Sequence, residues 1–120
     1  MDSQSLKYSV WIEAEEWADG EWVPADDNTD VIVTFENGRR WVATFFSYQN
    51  ILSLSEKNRK SGECLGGKYF AATGMVLVDV VSRERIEAVV AETLKVNGFD
   101  RYFALCEDAA DVSGLTKPCS

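Results

Sequence analysis

The chain has 120 residues, 46% of them hydrophobic, with a formal net charge of −8, which suits one domain able to bury a single core without disulfide or metal staples. It contains no histidine, so the commonest general base and the commonest transition-metal ligand are both missing, and the balance moves away from metal, cofactor and enzyme chemistry. No apolar run reaches the ~18 residues of a membrane span, the start Met1-Asp2-Ser3-Gln4-Ser5 lacks the basic and apolar parts of a signal peptide, and net acidity repels nucleic acid. A cytoplasmic protein that contacts neither membrane nor nucleic acid is expected.

The acidity is unevenly placed. Residues 1–36 hold ten acids and one base, a charge of −9, whereas residues 37–120 hold ten acids and eleven bases, a charge of +1. Cys64, Cys106 and Cys119 are odd in number and widely spaced, which gives no metal knuckle and suggests free thiols in a reducing compartment.

Leu6 to Trp17 alternates in hydropathy, as a half-buried strand does, with Leu6, Tyr8, Val10, Ile12 and Ala14 on one side. Asp19-Gly20 marks a turn, Glu21 to Pro24 reads as a short edge strand, and Ala25 to Asp30 is a polar loop. Val31–Glu36 and Arg39–Phe46, rich in β-branched and aromatic residues, flank Asn37-Gly38 and predict a hairpin with a two-residue type I′ turn. Such a turn sets Glu36 opposite Arg39 and Val33 opposite Val42. Both faces of the hairpin are then largely apolar, so both must be covered.

Tyr48, Ile51, Leu52 and Leu54 share an arc of a helix expected over about Ser47 to Arg59, while Asn50, Ser53, Glu56 and Lys57 point away; Lys60-Ser61-Gly62 ends it. Lys68 to Ala72 reads as extended, and Met75 to Val81 as a central strand buried on both faces. Ser82 caps a second helix over Arg83 to Val96, stopped by Asn97-Gly98, and Phe99 to Cys106 reads as a last strand that a crossover can set parallel to the one before. The fold class is therefore α+β, with a mixed, mainly antiparallel sheet of about five strands and two helices. Residues 1–106 make the domain and 107–120 a polar, flexible tail.

Several constellations carry possible chemistry. Gly62 to Lys68 has the spacing of a phosphate-binding loop, but a helix precedes it, a strand follows and Tyr69 stands where Ser or Thr would hold magnesium. Asp26, Asn28 and Asp30 match the start of a calcium loop, yet Val31 and Asn37 replace the required Gly and Glu. Cys64 has no histidine to activate it. Asp79 ends a strand in the position of a functional carboxylate, and with Glu63 and Tyr69 it defines a possible pocket between sheet and helices. Trp11, Trp17 and Trp22 lie among Glu13, Glu15, Glu16, Asp19, Glu21, Asp26 and Asp27. Aromatic anchors in a charged rim are how interfaces are built, though tryptophans also cover sheet faces that helices leave bare.

Asn37-Gly38-Arg39-Arg40-Trp41-Val42-Ala43-Thr44-Phe45-Phe46, Ser61-Gly62-Glu63-Cys64-Leu65, Lys68-Tyr69-Phe70 and Met75-Val76-Leu77-Val78-Asp79 resemble small bacterial proteins of the toxin-immunity and integron-cassette kind. The resemblance covers roughly residues 30–105 and implies a class of gene, with no functional residue attached.

The leading expectation is a binding module, in particular an immunity protein, whose surface of Trp11, Glu13, Glu15, Glu16, Trp17, Asp19 and Trp22 neutralises a basic, nuclease-like protein partner. The rivals are a small-molecule binder or minor enzyme using Glu63, Tyr69 and Asp79, and a homodimer joined through an apolar sheet face.

Overall fold

The computed structural model describes residues 7–106; the expected tail over 107–120 and the start of the expected first strand at Leu6 lie outside them. The elements in order are β1 (Tyr8–Ile12), a 3₁₀ turn (Glu13–Glu16), β2 (Asn28–Phe35), β3 (Arg40–Ser47), α1 (Tyr48–Ser61), a short helical turn (Glu63–Gly67), β4 (Met75–Val78), α2 (Arg83–Lys95), α3 (Phe99–Tyr102) and β5 (Ala104–Cys106). The expected α+β class, with a five-stranded mixed sheet and two long helices, is the one observed.

Strand β3 is the hub. It pairs antiparallel with β2 along one side, while its other side is shared by parallel β4 at Thr44–Ser47 and antiparallel β5 at Arg40–Val42. β4 and β5 therefore run in opposite directions, so the parallel crossover lies at β3–α1–β4 and not, as expected, between the last two strands. Nor is β4 a central strand: it ends at Val78 and leaves Leu77 43% exposed. Phe99–Tyr102 is helical where a strand is expected, and Glu21–Pro24 forms no strand among the described residues.

The hairpin is present, but one residue out of the expected register. Val33 lies opposite Trp41 and Thr34 opposite Arg40, because Gly38 alone takes a positive φ, +89°. Gly38 N–H donates to Phe35 C=O at 2.8 Å and Phe35 N–H to Arg39 C=O at 2.9 Å, the pattern of a three-residue loop whose glycine forms a bulge. The slip regroups the side chains. Val31, Val33, Trp41, Ala43 and Phe45 share the face that packs against α2 and α3, and Ile32, Val42, Thr44 and Phe46 share the other.

Both faces are buried, as the two apolar patterns require. Val31, Val33, Phe45, Ile86 and Val90 are fully enclosed on the first. Phe99 stacks on Phe103 at 4.3 Å and meets Phe35 and Trp41 edge-on at 5.5 Å each, geometries that suit the aromatic quadrupole. On the second face Ile32, Val42 and Phe46 are buried within the single chain, so these residues supply no bare patch for a homodimer.

Helix α1 starts where expected, with Ser47 Oγ accepting from Asn50 N–H at 3.0 Å, and ends at Gly62 with φ +90°. Its rotation is not the expected one. Asn50 and Asn58 are its buried residues, while Tyr48 and Leu52 are 58% and 64% exposed. The reason is a polar clamp. Asn50 Nδ2 donates to Asp26 Oδ1 at 3.1 Å, Ser53 Oγ to Asp26 Oδ2 at 2.9 Å, and Asn28 Nδ2 to Asn50 Oδ1 at 2.9 Å. Buried amides and hydroxyls need partners, and the acidic loop before β2 supplies them.

Candidate functional site

The candidate site is built on β1, an edge strand among the described residues. Lys7 C=O accepts from Glu36 N–H of the hairpin loop at 3.1 Å, so Lys7, Ser9 and Trp11 aim their peptide groups at β2 and, by strand alternation, Tyr8 and Val10 aim theirs outward. Arg83 confirms the direction, its Nη2 donating to Val10 C=O at 2.9 Å. The same guanidinium holds both oxygens of Glu15 at 2.7 and 2.8 Å and also pairs with Glu87.

Hydrogen bonding to Arg83 holds the Glu15 carboxyl below its ordinary value, against the opposing effect of burial, and Glu15 first among its partners raises Arg83. Glu15, expected as a partner-binding acid, is thus an internal ion-pair partner, and its charge is locally compensated.

Trp11 pairs across to Ile32 and stands on the second sheet face, 40% exposed. Its indole N–H donates to Glu16 Oε2 at 3.1 Å, which fixes the ring's orientation and sets a carboxylate at its edge. The 3₁₀ turn that brings Glu16 there is itself pinned by Ala14 N–H donating to buried Thr29 Oγ1 at 2.9 Å. Glu13 is half-buried, and Glu16, Asp19 and Glu21 are exposed.

The other two tryptophans serve the core. Trp17 and Trp22 are partly buried against it, and Trp22 Nε1 donates to Val81 C=O at 2.9 Å. Of the three, Trp11 alone combines exposure with an acidic neighbour.

Glu63, Tyr69 and Asp79 line neither the hollows along Lys7 to Val10 and at Thr34 to Glu36 nor the small one at Val42 to Thr44. Glu63 is exposed, Tyr69 is 52% exposed, and Asp79 makes a surface ion pair with Arg85 at 2.8 Å. Arg85 and then the Val80 N–H lower the Asp79 carboxyl, which accounts for it as the acceptor of a helix-start contact. Gly62 to Lys68 winds left-handed, with positive φ at Cys64, Leu65, Gly66 and Gly67, and Lys68 Nζ turns back to Leu65 C=O at 3.4 Å. No helix opens after it to aim amides at a phosphate. Cys64 is disulfide-bonded, contrary to the expected free thiol, and Cys106 is buried.

Among the described residues no group of three or more metal-ligating side chains is assembled, and no helix is long and apolar enough to cross a membrane. Comparison with family models, curated proteins and solved structures returned no match.

Arg83 is the site residue that sequence reasoning missed. A helix-first residue after the Ser82 cap carries no sign that it will reach a strand 73 positions earlier.

Proposed function

We propose that this chain is an acidic protein-binding module that engages a basic protein partner through the surface around Trp11, Glu13, Glu16 and Asp19. Its specific form, which the toxin-immunity resemblance suggests, is an immunity protein that neutralises a basic, nuclease-like toxin in the cytoplasm. The observation that carries the reading is Trp11: an exposed indole, oriented by Glu16, within a stretch from Tyr8 to Gly38 that holds nine acids and no base. Charge of one sign speeds encounter with a cationic partner, and a preorientated tryptophan supplies lasting affinity once desolvated. An oriented ring beside a carboxylate also suits an arginine or lysine, which gains from the ring face and from the charge. Trp17 and Trp22 act as supports, holding the acidic segment against the core.

The test is binding to the product of the adjacent reading frame and to proteins of the source cell, followed by isoelectric classification of what is retained. Basic partners lost on Trp11→Ala are expected. Acidic partners, or retention indifferent to Trp11, would remove the reading.

A further inference from the structure

We infer that the partner enters as an extended basic segment that adds a strand to the edge of β1 left open by the described residues, in the groove between β1 and α2. The mode rests on the acidic-surface reading above for the charge of its occupant, and on separate observations for its geometry. An edge strand presents unpaired amides and carbonyls that another chain can complete. Here those groups are Tyr8 N–H, Tyr8 C=O and Val10 N–H, none of which has a partner among the described residues. Arg83 fills the next outward group, Val10 C=O, so it stops the ladder at Val10 and sets where an added strand must end.

The space for such a strand exists. A groove of about 490 Å³ runs along Lys7, Tyr8, Ser9 and Val10 and is bounded by Glu87 of α2, and a second hollow continues round the strand to Thr34, Phe35 and Glu36. Side chains of an added strand would alternate between the two sides of the sheet. Those on the second face reach Trp11 and Glu16; those on the first reach Glu87. Of the charged residues lining the two hollows, Glu36 and Glu87 are acidic and Lys7 is basic, and the adjoining turn adds Glu13 and Glu16. A basic segment meets opposite charge on the second face, at Glu16 beside Trp11, while Glu87 on the first is already paired with Arg83; a second copy would bring the same acidic edge against itself.

The test is amide hydrogen exchange by NMR on the isotope-labelled full chain, alone and with a short peptide of alternating lysine and valine. An alternating glutamate and valine peptide is the control. In the free protein Ser9 and Trp11 should be protected by β2 while Tyr8 and Val10 exchange freely. At a lysine-peptide concentration ~10 times its Kd, exchange at Tyr8 and Val10 should slow about tenfold, and the glutamate peptide should leave it unchanged. Val10→Pro removes an outward N–H without touching the β2 ladder, so it should weaken the lysine peptide. If that variant fails to fold, the wild-type exchange data still decide. Perturbation of Trp11 and Glu16 without slowing at Tyr8 and Val10 would overturn strand addition and leave the acidic-surface reading standing. No perturbation at either place would overturn both. Slowing that grows with protein concentration and needs no peptide would make the occupant a second copy and overturn the basic segment.

Discussion

Arg83 donates to the carbonyl of Val10 at 2.9 Å while gripping both oxygens of Glu15, so one guanidinium ties the first turn of α2 to the end of an edge strand and to the turn that follows it. The tie has a pH signature. Arg83 holds the Glu15 carboxyl below its ordinary 4.5, so the folded chain binds that proton more weakly than the unfolded chain. The pair's contribution is therefore fully present above pH 4.5 and is lost as pH falls through the lowered folded value. Glu15→Gln should flatten the acid limb of the stability profile relative to wild type and leave the shape above it unchanged. Both pair members are more than a third exposed, so solvent screening keeps the effect of Arg83→Gln at neutral pH to about 1 kcal/mol. Urea unfolding at stepped pH is the measurement, and identical acid limbs would contradict the assignment.

Gly38 and Gly67 provide a matched pair of substitutions. Both have positive φ, +89° and +82°, but a Cβ on Gly38 meets open space while one on Gly67 would lie 2.3 Å from Ser55 C=O. Gly38→Ala should cost about 1 kcal/mol for its backbone conformation alone. Gly67→Ala must in addition displace the left-handed turn from α1, breaking the Ser55 Oγ bond to Gly67 C=O, and should cost about 3 kcal/mol. Equal losses in denaturant midpoint for the two variants would contradict this packing.

Phe99→Ala should destabilise by about 3 to 5 kcal/mol, the range for deleting a buried aromatic ring. Phe99 touches Phe35, Trp41 and Phe103 at once, so its loss opens the centre of the face that α2 and α3 cover. Leu52→Ala, which removes an apolar side chain 64% exposed, should change stability by less than about 1 kcal/mol. A large loss at Leu52 would mean that α1 buries the face its apolar spacing suggests.

The contrast shows where sequence reading succeeded. The hairpin, the start of α1 near Ser47, the Ser82 cap and the Gly62 stop were legible because local chemistry decides them. The register was not, because Asn-Gly serves a two-residue turn as readily as the tail of a three-residue one, and the choice rests on which residue takes positive φ. The rotation of α1 was hidden because Asp26, Asn28, Asn50 and Ser53 are polar, and a polar clamp leaves no apolar period to count. At the site, the exposure of Trp11 follows from its place in the alternation of β1. Its lock by Glu16, and the Arg83 contacts across the sheet edge, depend on a 3₁₀ turn and a helix start that no spacing announced.

Of the acids around Trp11, Glu15 is compensated by Arg83, whereas Glu13, Glu16 and Asp19 make no ion pair among the described residues. The measurement that bears most directly on a basic partner is therefore its association rate at two ionic strengths, for wild type and for Glu13→Gln, Glu16→Gln, Asp19→Asn combined. The rate should fall with salt for wild type and lose most of that dependence in the combined variant. Trp11→Ala should instead speed dissociation by a factor matching about 2 kcal/mol. An association rate indifferent to salt, or unchanged by neutralising the three acids, would contradict an acidic recognition surface.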